Sequence, residues 1–131
     1  MRTNMNDPVA DLLTRLRNSL QVGAEQMVVP HSKLREQLLK LLKDYGFIAG
    51  YTVKSEPPFK QVEVRLTEAK RPLTGLKRIS KPGRRIYSQA ADLKTVRGGH
   101  GLLVVSTPQG LMAGHTAKVR QLGGEVICEV W

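Results

Sequence analysis

Apolar residues recur at three- and four-residue spacing in two stretches of the first half of the chain, which predicts two helices. The first would begin after a cap at Asn6 or Asp7, with Pro8 in its first turn. The second would begin after a cap at Ser32 and end at Gly46. The inward positions are Val9, Leu12, Leu13, Leu16 and Leu20 in the first helix and Leu34, Leu38, Leu41, Leu42 and Tyr45 in the second.

Polar residues occupy the other face of the first predicted helix. Asp11, Thr14, Arg15 and Asn18 again follow three- and four-residue spacing, so we expect them to point away from the core. This face therefore offers a carboxylate, a hydroxyl, a guanidinium and an amide to solvent or to a partner.

Strict alternation of apolar and polar residues predicts strands around these helices. Residues 61–67 show the alternation of a half-buried strand, and residues 47–54 would pair with them across the Pro57-Pro58 loop. Residues 27–29 form a further short strand. The predicted order for residues 1–68 is helix, strand, helix, strand, strand, which is an α/β lobe.

The pattern changes in residues 69–131, where short apolar runs are separated by Gly and Pro. Residues 75–87 would form a β-hairpin around a turn that starts at Lys81. Residues 101–106 would form a buried strand, followed by a turn over residues 107–110. These signals predict a mostly β C-terminal lobe with short helices, and an α+β fold for the whole chain.

The end of the chain is expected to hold a short helix and a closing strand. The helix would run over residues 116–122 and stop at Gly123-Gly124. In the strand over residues 125–131, period-two alternation would place three buried side chains on one face. These are Val126, Cys128 and Val130.

Positive charge is concentrated in the second half. The chain has 131 residues, with 21 Lys and Arg against 11 Asp and Glu, a net charge of +10. Residues 1–68 carry ten basic and eight acidic side chains, whereas residues 69–131 carry eleven and three. Residues 69–91 contain no carboxylate. We therefore expect a polyanion to bind the second lobe.

Length, cysteine content and hydropathy exclude several classes of protein. A chain of this length forms one compact unit or two small lobes, not a large multidomain enzyme. The single cysteine, Cys128, cannot form an intramolecular disulfide, which favours the reducing cytosol. No apolar run approaches the roughly 18 residues of a membrane span. We expect a cytoplasmic protein without a membrane partner.

Groups suited to catalysis or metal binding are scarce. His31, His100 and His115 are far apart and lack metal-ligand spacing. Cys128 alternates with valines, which predicts a packed thiol and not a nucleophile. The glycine-rich residues 97–101 lack the spacing of a phosphate-binding loop. We therefore expect no enzyme activity, no metal and no organic cofactor.

The strongest functional signal is the cationic segment, residues 75–87, where Lys and Arg alternate with apolar residues. Cations held on a folded surface neutralise phosphates and release counterions, and an aromatic ring among them stacks on sugars or bases. The alternative is a solvated charged face. The candidate RNA-binding residues are Lys77, Arg78, Ser80, Lys81, Arg85 and Tyr87.

A second candidate site comprises short polar groups on turns. Small neutral donors and acceptors can enter the shallow minor groove of A-form RNA and reach base edges and 2′-hydroxyls. The same residue types are ordinary turn formers, and glycines commonly end helices, so a purely structural role stays open. The candidates of this kind are Ser106, Thr107 and Gln109. Gly124 and Glu125 are candidates on a further turn, because glycines there would let the backbone approach a ligand closely.

Four motifs follow one another along the chain: DPVADLLTRLRN at residues 7–18, RISKPGRRIY at 78–87, GLLVVSTPQGLM at 101–112 and GGEVICEVW at 123–131. Together they resemble the motifs of the bacterial small ribosomal subunit protein eight family, whose members are primary rRNA-binding proteins. The resemblance implies an α/β lobe followed by a mostly β lobe. It also implies binding to helical RNA in the central domain of small-subunit rRNA, beside neighbouring ribosomal proteins in the cytoplasmic ribosome. Members in some bacteria also repress translation of a ribosomal-protein operon mRNA.

The resemblance also implies particular RNA contacts. Minor-groove contacts would fall on Ser106, Thr107 and the Gly124-Glu125 turn, with Tyr87 beside them. Backbone contacts would come from Thr14, Arg15, Ser32 and Lys33, and Asn18 lies on the same predicted helix face as the first two.

Several positions depart from the family pattern, among them Ala113-Gly114, which replaces a more polar pair, and Arg84, which adds a charge. Pro108 stands where a second serine is expected, which removes one hydroxyl and one backbone N–H. Glu129 replaces a tyrosine. The set of RNA contacts is therefore expected to be shifted relative to the family.

Two other functions share some of these features. A DNA-binding architectural protein would carry the same charge, and a protein-only interaction module would use Trp131 and the leucine face of the first helix. Competition between a central-domain rRNA fragment and duplex DNA of equal length separates the three.

Overall fold

The computed structural model describes residues 7–55, 60–71 and 73–131. The chain divides into two compact units, Met1–Leu73 and Thr74–Trp131. The first unit contains α1 (Pro8–Gln21), β1 (Gln26–Pro30), α2 (Lys33–Asp44), β2 (Gly50–Lys54) and β3 (Gln61–Arg65). The second contains β4 (Leu76–Arg78), β5 (Tyr87–Ser88), β6 (Leu102–Thr107), β7 (Gly110–Ala113), α3 (Gly114–Val119) and β8 (Gly124–Val130). The predicted α+β class is confirmed.

The first helix, α1, begins where its sequence predicts. Asp7 is its N-cap and accepts a hydrogen bond from the Ala10 N–H at 3.1 Å, with Pro8 at the start of the helix. Asn6, the alternative cap, lies outside the described residues. The buried side chains of the predicted apolar face are Val9, Leu12, Leu13 and Leu16.

The second helix, α2, also has the predicted ends. Ser32 caps it by accepting a hydrogen bond from the Arg35 N–H at 3.1 Å, and Gly46 follows it with φ +82°. Its buried face is rotated from the predicted one. Leu39 is fully buried beside Leu38 and Leu42, because α2 packs against both α1 and β2.

A three-stranded antiparallel sheet completes the first unit, in the order β1-β3-β2. The predicted pairing of β2 with β3 is confirmed. The loop expected at Pro57-Pro58 lies outside the described residues. The inward side chains of β1 and β3 are buried, namely Met27, Val29, Val62 and Val64.

The second unit is built on an antiparallel sheet in the order β4-β8-β6-β7, and β5 also pairs with β8. The single hairpin expected over residues 75–87 is therefore wrong. Because β8 is long enough to take two short strands on one edge, β4 and β5 both bond to it and not to each other. Between them the chain leaves the sheet in a loop that closes through a backbone pair between Lys81 and Arg84.

A β-bulge at Ile127 corrects the predicted face of the last strand. Val105 pairs with Val126, but its neighbour Val104 pairs with Cys128. Since successive residues of β6 point to opposite faces, Val126 and Cys128 also lie on opposite faces. The side chains that pack with Val126 in the apolar core beneath α3 include Leu93, Val96, Leu103, Val105, Met112 and Ala117.

The short helices of the second unit differ from the prediction. The helix α3 ends at Val119, several residues before the glycines expected to stop it, because Gln121 takes a left-handed φ of 58°. Single 3-10 turns lie at Ala90–Asp92 and Arg97–Gly99. Within the described residues, no helix combines the length and the apolar composition needed to cross a bilayer.

Candidate nucleic-acid interface

Three neighbouring strands place Tyr87, Glu125 and Ser106 in one row across the second sheet. Tyr87 pairs with Glu125, and Glu125 pairs with Ser106 on its other side. Directly paired residues of antiparallel strands project to the same face. Tyr87 is 70% exposed, whereas the other two are half-buried. The sheet therefore presents an aromatic ring, a carboxylate and a hydroxyl side by side, which we call the polar row.

Glycines allow the strands that carry the polar row to approach each other closely. A Cβ at Gly124 would overlap the carbonyl oxygen of Ser106, and one at Gly123 would lie 2.6 Å from the carbonyl oxygen of Ser88. The expectation that these glycines stop a helix is wrong. Their close approach is to other strands of the same sheet, which sets the spacing of the row.

The loop beside the polar row is tied to it by Ser80. This residue is fully buried, although its sequence predicts an RNA contact. Its hydroxyl donates to Oε2 of Glu125 and accepts from the Ile86 N–H at 3.1 Å. Nη1 of Arg85 donates to the same carboxylate oxygen at 3.0 Å. The structure therefore brings Arg85, Glu125 and Tyr87 together, with Ser80 beneath them.

The two hydroxyls of the β6–β7 turn have different surroundings. The Thr107 hydroxyl donates to the Gly110 carbonyl at 2.9 Å and accepts from the Gln109 N–H at 3.1 Å. By contrast, the Ser106 hydroxyl makes no hydrogen bond to the residues that the structure describes. Ser106 is therefore the hydroxyl that remains available to a ligand, and Gln109 adds an exposed amide at the tip of the turn.

The cations of the cationic segment are distributed over more than one surface. Lys81, Arg84 and Arg85 are exposed on the loop. Arg78 is half-buried and its Nε donates to the Ser80 carbonyl. Lys77 pairs with Glu129, which places it on the opposite face of the sheet from the polar row.

The candidates of the first unit lie on α1 and at the start of α2. Thr14, Arg15 and Asn18 are exposed on the outer face of α1, and Lys33 is exposed in the first turn of α2. The Ser32 hydroxyl caps α2. These residues thus offer two cations and two neutral polar groups to solvent.

An ion-pair network under α1 was not predicted. Asp11, expected on the exposed face, is buried and accepts from Nη2 of Arg35 at 3.1 Å and from Nε of Arg15 at 3.0 Å. Arg35 also donates to the Pro30 carbonyl at 3.3 Å. The four-residue spacing of Asp11 and Arg15 is a local sign of an ion pair. Nothing local indicates Arg35, which lies 24 residues further along.

Groups for metal or thiol chemistry are not assembled in the described part of the chain. Among those residues, no three His, Cys, Asp or Glu side chains are close enough to hold a metal ion. Burial raises the pKa of the Cys128 thiol to about 12. This thiol is therefore protonated at neutral pH and packs as an apolar side chain, as the sequence predicts.

Comparison with known proteins identifies the family of this chain. The family model described as Ribosomal protein S8 matches residues 7–131. The chain belongs to this family. It is 47% identical to the small ribosomal subunit protein uS8 of Roseiflexus castenholzii, over 98% of this chain and 99% of that protein. The uS8 proteins of Rubrobacter xylanophilus and Chloroflexus aggregans are 38% and 43% identical, over 97% and 98% of this chain and 98% and 99% of theirs. The resemblance read from the four motifs is confirmed.

Proposed function

We propose that this chain binds helical RNA in the central domain of small-subunit rRNA directly, through the polar row and the loop beside it. As a member of the S8 family it is a structural constituent of the small ribosomal subunit, which in bacteria lies in the cytoplasm. The family is structural and not enzymatic. The chain would therefore help the rRNA to fold and would contact neighbouring ribosomal proteins in the particle.

The polar row is the observation that carries this proposal. Lys81, Arg84 and Arg85 would neutralise phosphates, which supplies affinity without reading sequence. Ser106 and Glu125, whose side chains are shorter than those of Lys and Arg, would enter the wide, shallow minor groove between the backbones. The exposed Tyr87 ring beside them would stack on a sugar or an unpaired base.

Residues of the first unit would add contacts to the RNA backbone. The Nε of Arg15 donates to Asp11 and its Nη1 donates to the Val28 carbonyl at 3.5 Å. Arg15 would act on a phosphate through Nη2, since its side chain is 46% exposed. Thr14, Asn18 and Lys33 are exposed and would donate to phosphate or ribose oxygens. The Ser32 hydroxyl, as the cap of α2, would contribute by fixing the position of Lys33.

Direct binding can be tested with a central-domain rRNA fragment in a filter or gel-shift assay. Duplex DNA of equal length serves as competitor at fixed salt. We expect the RNA to stay bound at a DNA excess that displaces a scrambled RNA helix. Equal displacement of both RNAs would favour a DNA-binding architectural protein, and no binding to either would favour a protein-only module.

A repressor role follows from the same site if the operon mRNA folds into the same helix. Because the proposed contacts read the shape and the edges of a helix, they do not depend on which RNA carries it. We propose that such an mRNA competes with the rRNA fragment for the chain. Simultaneous binding of both RNAs would refute a shared site.

A further inference from the structure

We propose that Ser80 is a positioning residue for RNA recognition: it never touches RNA, but it orients Glu125 to accept a hydrogen bond from a ribose 2′-hydroxyl. The inference rests on the proposed function and deepens it, since it names the group by which the site distinguishes RNA from DNA. It assigns to Ser80 a role other than the direct contact that its sequence predicts.

Hydrogen bonds fix every polar atom of Ser80. Its N–H donates to the Ile127 carbonyl at 3.3 Å, and its own carbonyl accepts from Nε of Arg78. Its hydroxyl bridges the Ile86 N–H and Glu125. Because Ser80 is also fully buried, it links the returning end of the loop to the carboxylate and has no surface to offer a ligand.

This bridge leaves the two oxygens of Glu125 in different states. Oε2 accepts from the Ser80 hydroxyl and from Arg85, whereas Oε1 accepts from none of the residues that the structure describes. With two donors on one oxygen, the carboxylate is held in one orientation. The side chain is 18% exposed, so the second oxygen remains within reach of a ligand.

An ionised carboxylate accepts hydrogen bonds and cannot donate them. It therefore repels phosphate and attracts hydroxyl or amino groups. In the minor groove of an RNA helix these donors are the 2′-hydroxyls and the guanine amino group, and only the first is missing from DNA. A carboxylate held among cations thus makes the surface select for ribose, which the cations alone cannot do.

Loss of the Ser80 hydroxyl would free the Glu125 carboxylate from this fixed orientation. Glu125 would lose its uncharged donor and follow Arg85, whose side chain is 47% exposed and would turn toward a phosphate. The cations of the loop would still bind any nucleic acid. We therefore expect the preference for RNA to fall while cation-driven affinity for DNA is retained.

The test compares Ser80→Ala with Ser88→Ala, which removes a nearby hydroxyl whose one hydrogen bond within the described residues goes to the Gln89 carbonyl. Dissociation constants are measured for the central-domain rRNA fragment and for duplex DNA of equal length, at one salt concentration. We expect Ser80→Ala to lower the RNA-to-DNA affinity ratio roughly tenfold or more, as for loss of a hydrogen bond to a charged group. Ser88→Ala should leave the ratio unchanged.

A double-mutant cycle separates positioning from general destabilisation. In a Glu125→Ala background, Ser80→Ala should not lower the ratio further, because its effect passes through the missing carboxylate. Additive losses, or equal losses for RNA and DNA, would overturn the inference. If thermal unfolding shows that Ser80→Ala does not fold, Ser80→Cys replaces it in the same cycle, with similar size and a weaker donor.

The two proposals fail in different ways. A wild-type chain with no preference for the rRNA fragment over DNA would refute the proposed function. A wild-type chain with that preference, together with a Ser80→Ala ratio equal to that of Ser88→Ala, would refute the role of Ser80 alone.

Discussion

Ser106 on β6 and Glu125 on β8 are paired in register, and the main chains of these strands are so close beside them that residue 124 must be glycine. This pairing sets a hydroxyl with no partner among the described residues beside a carboxylate whose Oε2 is held by two donors. The polar row thus combines the Ser106 hydroxyl, which is free to donate or accept a hydrogen bond, with the Glu125 carboxylate, which is an acceptor held in one orientation. This difference in hydrogen bonding makes the roles of individual side chains separable by mutation.

The two neighbouring hydroxyls of β6 should respond oppositely to removal. Thr107→Val removes a buried hydroxyl with two hydrogen bonds in the turn, so we expect a loss of about 1–3 kcal/mol in the free energy of unfolding. The preference of the Thr107→Val variant for specific over scrambled RNA should stay unchanged. Ser106→Ala should leave the melting temperature unchanged and cost about 1 kcal/mol of RNA binding.

Thermal unfolding and RNA competition on both variants decide between these roles. A Thr107→Val protein that is stable but loses RNA preference would show that this hydroxyl contacts the ligand. A Ser106→Ala protein with unchanged binding would remove Ser106 from the interface.

Salt dependence should identify the cations that meet phosphates. Replacing Lys81 and Arg84 by Gln should flatten the log–log slope of RNA affinity against salt by about 0.7–0.9 per lost contact. Specific and nonspecific RNA should weaken together. The matched control replaces Lys118 and Arg120, exposed cations at and after the end of α3. If both double variants had the same slope of log affinity against log salt, Lys81 and Arg84 would contact no phosphate. The loop would then be only a solvated face.

The spacing of the polar row should depend on Gly124. In Gly124→Ala the new Cβ would overlap the Ser106 carbonyl oxygen, so the strands must separate. We expect a destabilisation of about 1–3 kcal/mol, as for other overpacked sites, and weaker specific RNA binding. Gly83→Ala is the control for stability, because no atom of the described residues beyond its chain neighbours lies within 4 Å of its Cβ position. A urea midpoint for Gly124→Ala equal to that of the control would contradict the packing argument.

Burial of Cys128 should make stability fall at high pH. The pKa of this thiol is raised from 9.0 to about 12 in the folded chain. Above pH 9 the unfolded chain loses the proton while the folded chain keeps it, so this contribution to stability is complete below about pH 9. It declines by about 1.4 kcal/mol per pH unit up to about pH 12.

Urea unfolding between pH 8 and pH 10 measures this decline. Cys128→Ala supplies the reference, since it lacks the thiol but keeps the other titrating groups. The difference in unfolding free energy between the two proteins should shrink as pH rises. A difference independent of pH would show that the thiol ionises equally in both states.

Local patterns were sufficient to predict the helices of the first unit and the pairing of β2 with β3. The caps at Asp7 and Ser32, the end at Gly46 and the buried leucines of α1 follow from residues within a few positions of each other. The buried face of α2 does not, since Leu39 is buried by packing against other elements. The charge of the cationic segment and the four family motifs are likewise properties of the sequence. The fold class and the family therefore needed no coordinates.

Only the tertiary structure decided which candidate side chains are available. Ser80 bonds to Glu125, 45 residues away, and Asp11 to Arg35, 24 residues away, so no local period indicates that they are buried. The bulge at Ile127 likewise depends on how β8 meets β6. A residue's spacing predicts the face it takes in its own helix or strand, because that geometry is local. Its exposure and its hydrogen-bond partners depend on distant segments, which meet only when the chain folds.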